Sequence, residues 1–253
     1  EICRMRDIPI ITFINKMDRE AREPLDLLDE IEKDLALDTA PMVWPMGKGR
    51  GFRGTYDLFK PRVRQIDEAP EGTAVRGPDD PFIDTLLEPD EAARWREEAS
   101  LVADASGRFD AKAFLEGHLT PVYFGSALRN FGVRDLLDAL VAHAPPPRAQ
   151  GASSRTVEAA EPSLTGFVFK IQANMDPNHR DRIAFMRLCS GRLTKGMKAK
   201  LVRTGKIVGL HAPQFFFAQD RSIATEAYAG DVVGIPNHGL LRIGDTLTEG
   251  EEL

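Results

Sequence analysis

A run of apolar, mostly β-branched residues near the start of the chain constrains its fold more than any other feature. It covers Ile8–Ile14 and stops abruptly at the polar segment Asn15-Lys16-Met17-Asp18. Such a run predicts a fully buried strand of a parallel sheet. Ligands of open α/β sheets bind beyond the carboxyl ends of the strands. The amide, the amine and the carboxylate are therefore predicted to lie beside a ligand.

The order of these side chains, N-K-x-D, is typical of a site that recognises guanine. The Asp18 carboxylate can accept hydrogen bonds from the two donors on the Watson–Crick edge of guanine, and adenine would leave it unpaired. The Asn15 amide can serve the base acceptors or brace neighbouring loops, and the Lys16 stem can lie over the base. The alternative is a polar turn in which Asp18 caps the following helix.

A second apolar run, Thr120–Phe124, ends in the small-residue loop Gly125-Ser126-Ala127-Leu128. Backbone N–H groups of such a loop can approach a ligand closely. A helix with one apolar face is predicted to follow and to stop at Ala144, before three prolines. That face comprises Val133, Leu136, Leu137, Leu140 and Val141. Alone, the loop is compatible with an ordinary turn, but together with N-K-x-D it predicts a two-sided guanine pocket.

The rest of the sequence offers little further site chemistry. Gly47-Lys48-Gly49-Arg50-Gly51 resembles a phosphate loop, but it lacks the spacing and the Lys-Ser/Thr pair of that motif and is predicted to be an ordinary loop. Neither the five histidines nor Cys3 and Cys189 show metal-ligand spacing, and two thiols in such a chain suit a reducing compartment. We predict no catalytic residue and no metal ligand.

The chain is predicted to consist of an α/β part followed by a β part. Residues 1–144 form the α/β part, with an irregular acidic insertion at about 42–116 that holds Trp44 and a helix beginning at Pro89. Residues 145–162, rich in Pro, Ala and Ser, are predicted to be a linker. A parallel strand needs neighbours on both sides, and only Pro121–Phe124 follows. We therefore expect further strands upstream, so that the chain is a fragment.

From Leu164 onward the hydrophobic period changes to two, as it does in short antiparallel strands. Phe167, Phe169 and Ile171 alternate with Val168, Lys170 and Gln172. Further strands are predicted at Ile183–Cys189, Met197–Arg203, Ile207–Leu210, Gln214–Phe217, Asp231–Ile235 and Leu240–Leu247. Many short strands separated by glycine-containing turns predict a small antiparallel barrel over residues 163–253.

Charge is distributed unevenly along the chain. Residues 1–162 hold 21 basic and 30 acidic side chains, whereas residues 163–253 hold 12 and 9. The basic side chains of the second part either face phosphate or are simply solvated. They include His179, Arg180, Arg182, Arg187, Arg192, Lys195, Lys198, Lys200, Arg203 and Lys206. No apolar run is long enough to predict a membrane span.

With these motifs in place, the whole sequence resembles the translational GTPases, and within them the release-factor-three branch. The residues that carry the resemblance are 13–19, 44–47, 166–177 and 179–187. Elongation factor G is similar over the first part but lacks the Gln172–Arg182 segment. The resemblance implies the C-terminal part of a P-loop GTPase domain, followed by a translation-factor β-barrel.

The resemblance also implies a function. Such a factor binds GTP and GDP on the ribosome and removes the stop-codon-decoding release factors after the peptide is freed, with GTP hydrolysis linked to its own departure. The guanine contacts would be Asn15, Lys16, Asp18 and the loop residues Ser126, Ala127 and Leu128, a backbone N–H of that loop meeting guanine O6. The barrel would contact the small ribosomal subunit, including rRNA through its basic loops. We expect a cytoplasmic monomer.

The sequence lacks a phosphate loop and switch segments, which handle the phosphates and the magnesium ion in this chemistry. The 253 residues alone are therefore expected to bind GTP weakly and to hydrolyse none, and Mg²⁺ is expected only with an upstream part. Two rival functions stay open: an elongation-factor-G-like GTPase, and a non-enzymatic module that binds the ribosome or RNA.

Overall fold

The computed structural model of the chain describes residues 2–20, 22–69, 71–106, 109–173, 182–217, 220–250 and 253. These residues fall into two units, Glu1–Pro145 and Pro146–Leu253. Most of the Gln172–Arg182 segment falls on 174–181 and lies outside the described residues. Among the described helices, none combines the length and the apolar content that a membrane crossing requires.

The first unit is an α/β structure. Its helices, α1 to α5 in chain order, are Ile2–Met5, Pro24–Leu35, Pro89–Ser106, Ala111–Leu115 and Val133–His143. Its strands, β1 to β7, are Thr12–Ile14, Asp38–Pro41, Val43–Met46, Gly54–Asp57, Arg62–Gln65, Thr73–Ala74 and Leu119–Phe124.

Strands β1, β7 and β2 form a parallel sheet with β7 in the centre. Ile14 lies opposite Phe124, so β1 and β7 end side by side. The prediction of a fully buried strand over Ile8–Ile14 is wrong in length and in burial. The strand covers only Thr12–Ile14 and is half-buried, because among the described residues it is paired along one edge only.

The second edge of β7 is occupied by β2, which the sequence analysis does not predict. The segment Asp38-Thr39-Ala40-Pro41 lacks the run of β-branched or aromatic residues that marks a strand, and tertiary pairing overrides its weak propensity. The predicted strand at Thr120–Phe124 is confirmed as β7, whose residues from Thr120 onward are buried.

The helix predicted after the N-K-x-D segment is confirmed as α2. Pro24 occupies its first turn, where a missing N–H costs no hydrogen bond. Leu28 is buried, whereas Leu35 in the last turn is exposed. The helix therefore packs through its first half.

The insertion is not irregular, as the sequence suggested, but contains the antiparallel sheet β3–β4–β5–β6. Its strands are only two to four residues long, which is too short for a clear alternating pattern. The predicted helix is confirmed as α3, and Ala92, Trp95, Ala99 and Val102 are buried along one side. These residues belong to the same core as Trp44 of β3 and Phe124 of β7. The Trp44 ring packs edge-on against the Phe124 ring, with ring centroids 5.6 Å apart.

Helix α5 forms as predicted, but its apolar face is only partly packed, with Val133 and Leu136 half-buried. Leu137, Leu140 and Val141 are exposed, and only Ala139 is buried. Amphipathic periodicity thus predicted the helix correctly without showing how much of the face is covered.

The second unit consists of strands. They are numbered β8 to β19: Gln150–Gly151, Thr156–Val157, Thr165–Ala173, Arg182–Ser190, Arg192–Thr194, Lys198–Leu201, Lys206–Gly209, Gln214–Phe217, Asp220–Ile223, Glu226–Tyr228, Val232–Pro236 and Thr246–Thr248. Eight of them form one antiparallel, barrel-like sheet in the order β14–β13–β19–β10–β11–β18–β15–β16. The predicted linker contains the pair β8–β9, and Val157 of β9 is buried.

The prediction of a strand over Leu240–Leu247 is wrong except at its end, where β19 begins at Thr246. Before β19, the Asn237 side chain holds the backbone of the next four residues in a turn. Its Oδ1 accepts from Gly239 N and Leu241 N, both at 3.0 Å, and its Nδ2 donates to Leu241 O at 2.9 Å. Local capture of the backbone by an asparagine competes with strand pairing.

An ion pair closes the same region of the second unit. The buried Asp245 carboxylate accepts from Arg203 Nε at 2.6 Å and Nη2 at 3.0 Å, and from Arg242 N at 2.8 Å. The Arg203 guanidinium lowers the pKa of Asp245 below its ordinary value of 3.8. The carboxylate therefore stabilises the unit in its charged form.

Asp245→Asn is expected to destabilise the second unit by about 1–3 kcal/mol, because a charge-assisted pair becomes a neutral one. A depressed folded-state pKa contributes stability that is complete above 3.8 and is lost as pH falls through the lower folded value. Amide hydrogen exchange in β10 and β19 should show a constant difference between the two proteins from about pH 7 to 5. The difference should shrink as the pH falls below 3.8. A difference in stability that does not change with pH would contradict the role assigned to the charged carboxylate.

Candidate functional site

The loops that follow β1 and β7 are joined through their backbones. Gly125 N donates to Ile14 O at 3.0 Å, and Met17 N donates to Gly125 O at 3.1 Å. These bonds continue the parallel pairing beyond the last strand residues, so both predicted halves of the site lie at the same edge of the sheet.

Asn15 links the two loops through its side chain. Its Oδ1 accepts from Lys16 N at 2.8 Å and from Ala127 N at 2.9 Å. Lys16 adopts a left-handed backbone conformation with φ of 68°, which turns the chain immediately after Asn15. Of the two roles considered for Asn15, the structure shows the bracing one.

Asp18 lies beside the second loop. The facing Ser126 hydroxyl is the main cause that lowers the pKa of Asp18 below its ordinary value, and Arg19 and Arg129 contribute through their charge. Ser126 is fully buried, yet among the described residues its Oγ lacks a partner at hydrogen-bonding distance. The site thus holds a charged acceptor next to a buried hydroxyl that has no other hydrogen-bond partner among the described residues.

The alternative role for Asp18, capping the next helix, is wrong. Helix α2 begins at Pro24, and its N-cap residue is Glu23, which makes no side-chain capping bond. The Asp18 carboxylate is therefore not committed to a helix end and remains at the edge of the sheet.

The second loop is closed tightly at its base. Ser126 N donates to Phe131 O at 3.1 Å, and Phe131 N donates back to Ser126 O at 2.9 Å. Gly125 is required there, since a Cβ would lie 2.4 Å from Phe131 O and 2.8 Å from the Phe13 ring. Ala127 and Leu128 stand exposed at the tip, Leu128 to 79%.

All six predicted residues are thus brought together: Asn15, Lys16, Asp18, Ser126, Ala127 and Leu128 follow the ends of adjacent strands. Arg129 was not predicted from the sequence; its guanidinium pairs with Asp67 of the insertion, and its charge acts on Asp18. Met17 was not predicted either; it is fully buried although its neighbours are polar. An apolar residue inside a polar turn was the available signal for Met17.

Comparison with known proteins agrees with this architecture. Residues 1–146 match the model of the elongation factor Tu GTP binding domain, and residues 163–250 match that of elongation factor G domain 2. A crystal structure of a protein from Thermus thermophilus resembles the whole chain in fold, with a TM-score of 0.66 at 22% identity, and the chain covers 38% of it.

A curated relative extends the likeness to sequence. The chain is 52% identical over 260 residues to peptide chain release factor 3 of Bordetella petrii. The match includes 100% of this chain and 48% of the relative, so the chain spans about half of that protein's length. These matches show that the chain belongs to the translational GTPases, the family that shares the elongation factor Tu GTP-binding domain, and that it is similar throughout to release factor 3.

Proposed function

We propose that the paired loops beyond β1 and β7 bind the guanine base of GTP or GDP. The observation that carries this proposal is the hydrogen bond from Ala127 N to Asn15 Oδ1 at 2.9 Å. It joins the N-K-x-D loop to the small-residue loop, which are 112 residues apart in sequence. A base inserted at this junction would meet polar groups from both.

The groups present match the edge of guanine. The Asp18 carboxylate, held charged by its surroundings, accepts from N1–H and the 2-amino group. Guanine O6 requires a donor, and the Ala127 N–H can share its hydrogen bond with O6 as a three-centre bond. Among the described residues, the next amide, that of Leu128, has no acceptor and is a second donor for O6. Adenine offers the opposite pattern on this edge.

The exposed side chains at the tips of the loops suit the faces of the base. The Lys16 stem can cover one face while its ammonium group stays in water, and Leu128 offers apolar surface nearby. The proposal concerns the base and assigns no residue of this chain to the phosphates or to Mg²⁺. Among the described residues, no group of three or more His, Cys, Asp or Glu side chains is arranged to hold a metal ion.

Titration of the ¹⁵N-labelled 253-residue chain with nucleotides tests the proposal. We expect GDP to shift the amide signals of Lys16, Asp18 and Ala127 with a millimolar Kd, because only the base is contacted. ADP should shift them at least about tenfold less effectively, since it leaves Asp18 unpaired. Equal responses to GDP and ADP would refute guanine recognition. GTP in the same sample is expected to release no phosphate.

For the longer protein we propose the function implied by the release-factor-three branch. It would bind GTP and GDP on the ribosome and promote the departure of stop-codon-decoding release factors. The support is the 52% identity to peptide chain release factor 3 along the whole chain. Assays of release-factor recycling and of translocation with the longer protein separate this function from an elongation-factor-G-like one.

The barrel-like unit is proposed to contact the small ribosomal subunit. Exposed basic side chains on its surface, Lys195, Lys198 and Lys206, support contacts with rRNA phosphates. Arg203 is a weaker candidate, because its guanidinium is held by Asp245. His179 and Arg180 lie outside the described residues. Salt-dependent ribosome binding that ignores guanine nucleotides would favour the alternative of a non-enzymatic binding module.

A further inference from the structure

The glycine-rich segment Gly47–Phe52 contacts both loops of the candidate site. On one side Gly49 N donates to Met17 O at 2.9 Å. On the other side the Phe52 ring packs edge-on against Phe131, with ring centroids 5.6 Å apart. One short turn of the insertion, predicted from sequence to be an ordinary loop, therefore touches each half of the guanine pocket.

The contact with the first loop is close and involves backbone. Met17 is fully buried between the exposed Lys16 and the half-buried Asp18, so its position determines where Asp18 points. Gly49 has φ of 57°, and a Cβ there would lie 3.6 Å from Arg19 O. The Lys48 ammonium also pairs with Glu23 beyond the loop. The turn thus contacts the chain after Asn15 at two places, Met17 and Glu23.

The contact with the second loop acts through Phe131. The Phe131 ring is buried beside Phe52, and the Phe131 backbone exchanges two hydrogen bonds with the Ser126 backbone. Any movement of Phe131 is therefore transmitted to Ser126 and to the adjoining Ala127 amide.

The turn itself is well defined by its surroundings. Phe52 N donates to Gly49 O at 3.1 Å, and Arg53 N donates to Met46 O at 2.8 Å, which closes the connection between β3 and β4. Gly47 has φ of 75°, and a Cβ there would lie 2.2 Å from Gly51 O, so only glycine permits this closure. A turn fixed in this way can act as a spacer.

We propose that the Gly47–Phe52 turn sets the distance between the two guanine-reading loops, with Gly49 and Phe52 as positioning residues for Asp18 and Ala127. This inference rests on the proposed guanine site. Guanine must pair with Asp18 and the loop amide at once, so a change in their spacing weakens the combined contact more than either one alone.

Phe52→Leu tests the proposal, because leucine stays apolar but removes the aromatic edge contact with Phe131. The expected result is a GDP Kd about 3–10-fold higher, with a smaller change for IDP, which lacks the 2-amino group and uses Asp18 less fully. The ratio of IDP to GDP affinity should therefore rise. Phe114→Leu is the matched control, since Phe114 is equally buried in the same unit but packs against Phe109 and His143.

The outcomes separate this inference from the proposed function. A structural role alone would lower the thermal midpoint of both Leu variants and leave the ratio of IDP to GDP affinity unchanged, which would overturn the inference. If the unsubstituted chain bound GDP and ADP equally well, the proposed guanine site itself would be overturned. In an Asp18→Asn background, Phe52→Leu should lower GDP affinity less than it does alone, because the spacing between the two loops matters only while both contacts to the base are made. Full additivity of the two effects would contradict positioning.

Discussion

Replacing Asp18 by asparagine is expected to change the base preference of the chain from guanine to xanthine. The carboxylate accepts from two guanine donors, whereas the new amide offers one acceptor and one donor. Xanthine has a carbonyl in place of the 2-amino group, and this carbonyl can accept from the amide while N1–H donates to the amide oxygen. We expect GDP affinity to fall and XDP affinity to rise by about 10–100-fold each.

Titration of both proteins with GDP and XDP, followed by the amide signals of Lys16 and Ala127, measures this change. Asp29→Asn is the matched control, because Asp29 is an exposed carboxylate on α2. It should leave both affinities as they are. An Asp18→Asn protein that binds GDP as before and gains nothing for XDP would show that Asp18 does not contact the base.

Trp44→Ala is expected to cause the largest loss of stability, about 3–5 kcal/mol. The side chain is fully buried and packs edge-on against Phe124 at the end of β7. Its removal would leave a cavity between the insertion and the central strand, in a core that also holds Met17. Met17 belongs to the N-K-x-D segment, so a change in its packing should weaken guanine binding as well as stability.

Both tryptophans lie in the first unit, so Trp95 fluorescence reports the unfolding of that unit in the variant. Denaturant titration of Trp44→Ala should give a lower midpoint with the same slope. Trp44→Phe should lose less than half as much stability as Trp44→Ala, because phenylalanine keeps an aromatic contact with Phe124. A cost below about 1 kcal/mol for the alanine variant would mean that the core closes over the gap.

Local patterns predicted the elements that depend on nearest neighbours in sequence. Helix α5 follows from the spacing of its apolar residues, and the start of α3 from Pro89. Strand β2 and the short strands of the insertion were not predictable in this way. Their residues form strands because distant segments pair with them, which no local window contains.

The site divides along the same line. The sequence by itself determined its chemistry: a carboxylate, an amide and exposed backbone donors follow two strands, and their order along the chain identifies guanine as the proposed ligand. Only the tertiary structure decided how far apart these groups lie. The loops are joined directly by the hydrogen bond from Ala127 N to Asn15 Oδ1, and we propose that Gly49 at Met17 and Phe52 at Phe131 adjust their spacing. Such contacts arise when segments remote in sequence bury apolar surface together, and that is settled by packing rather than by local pattern.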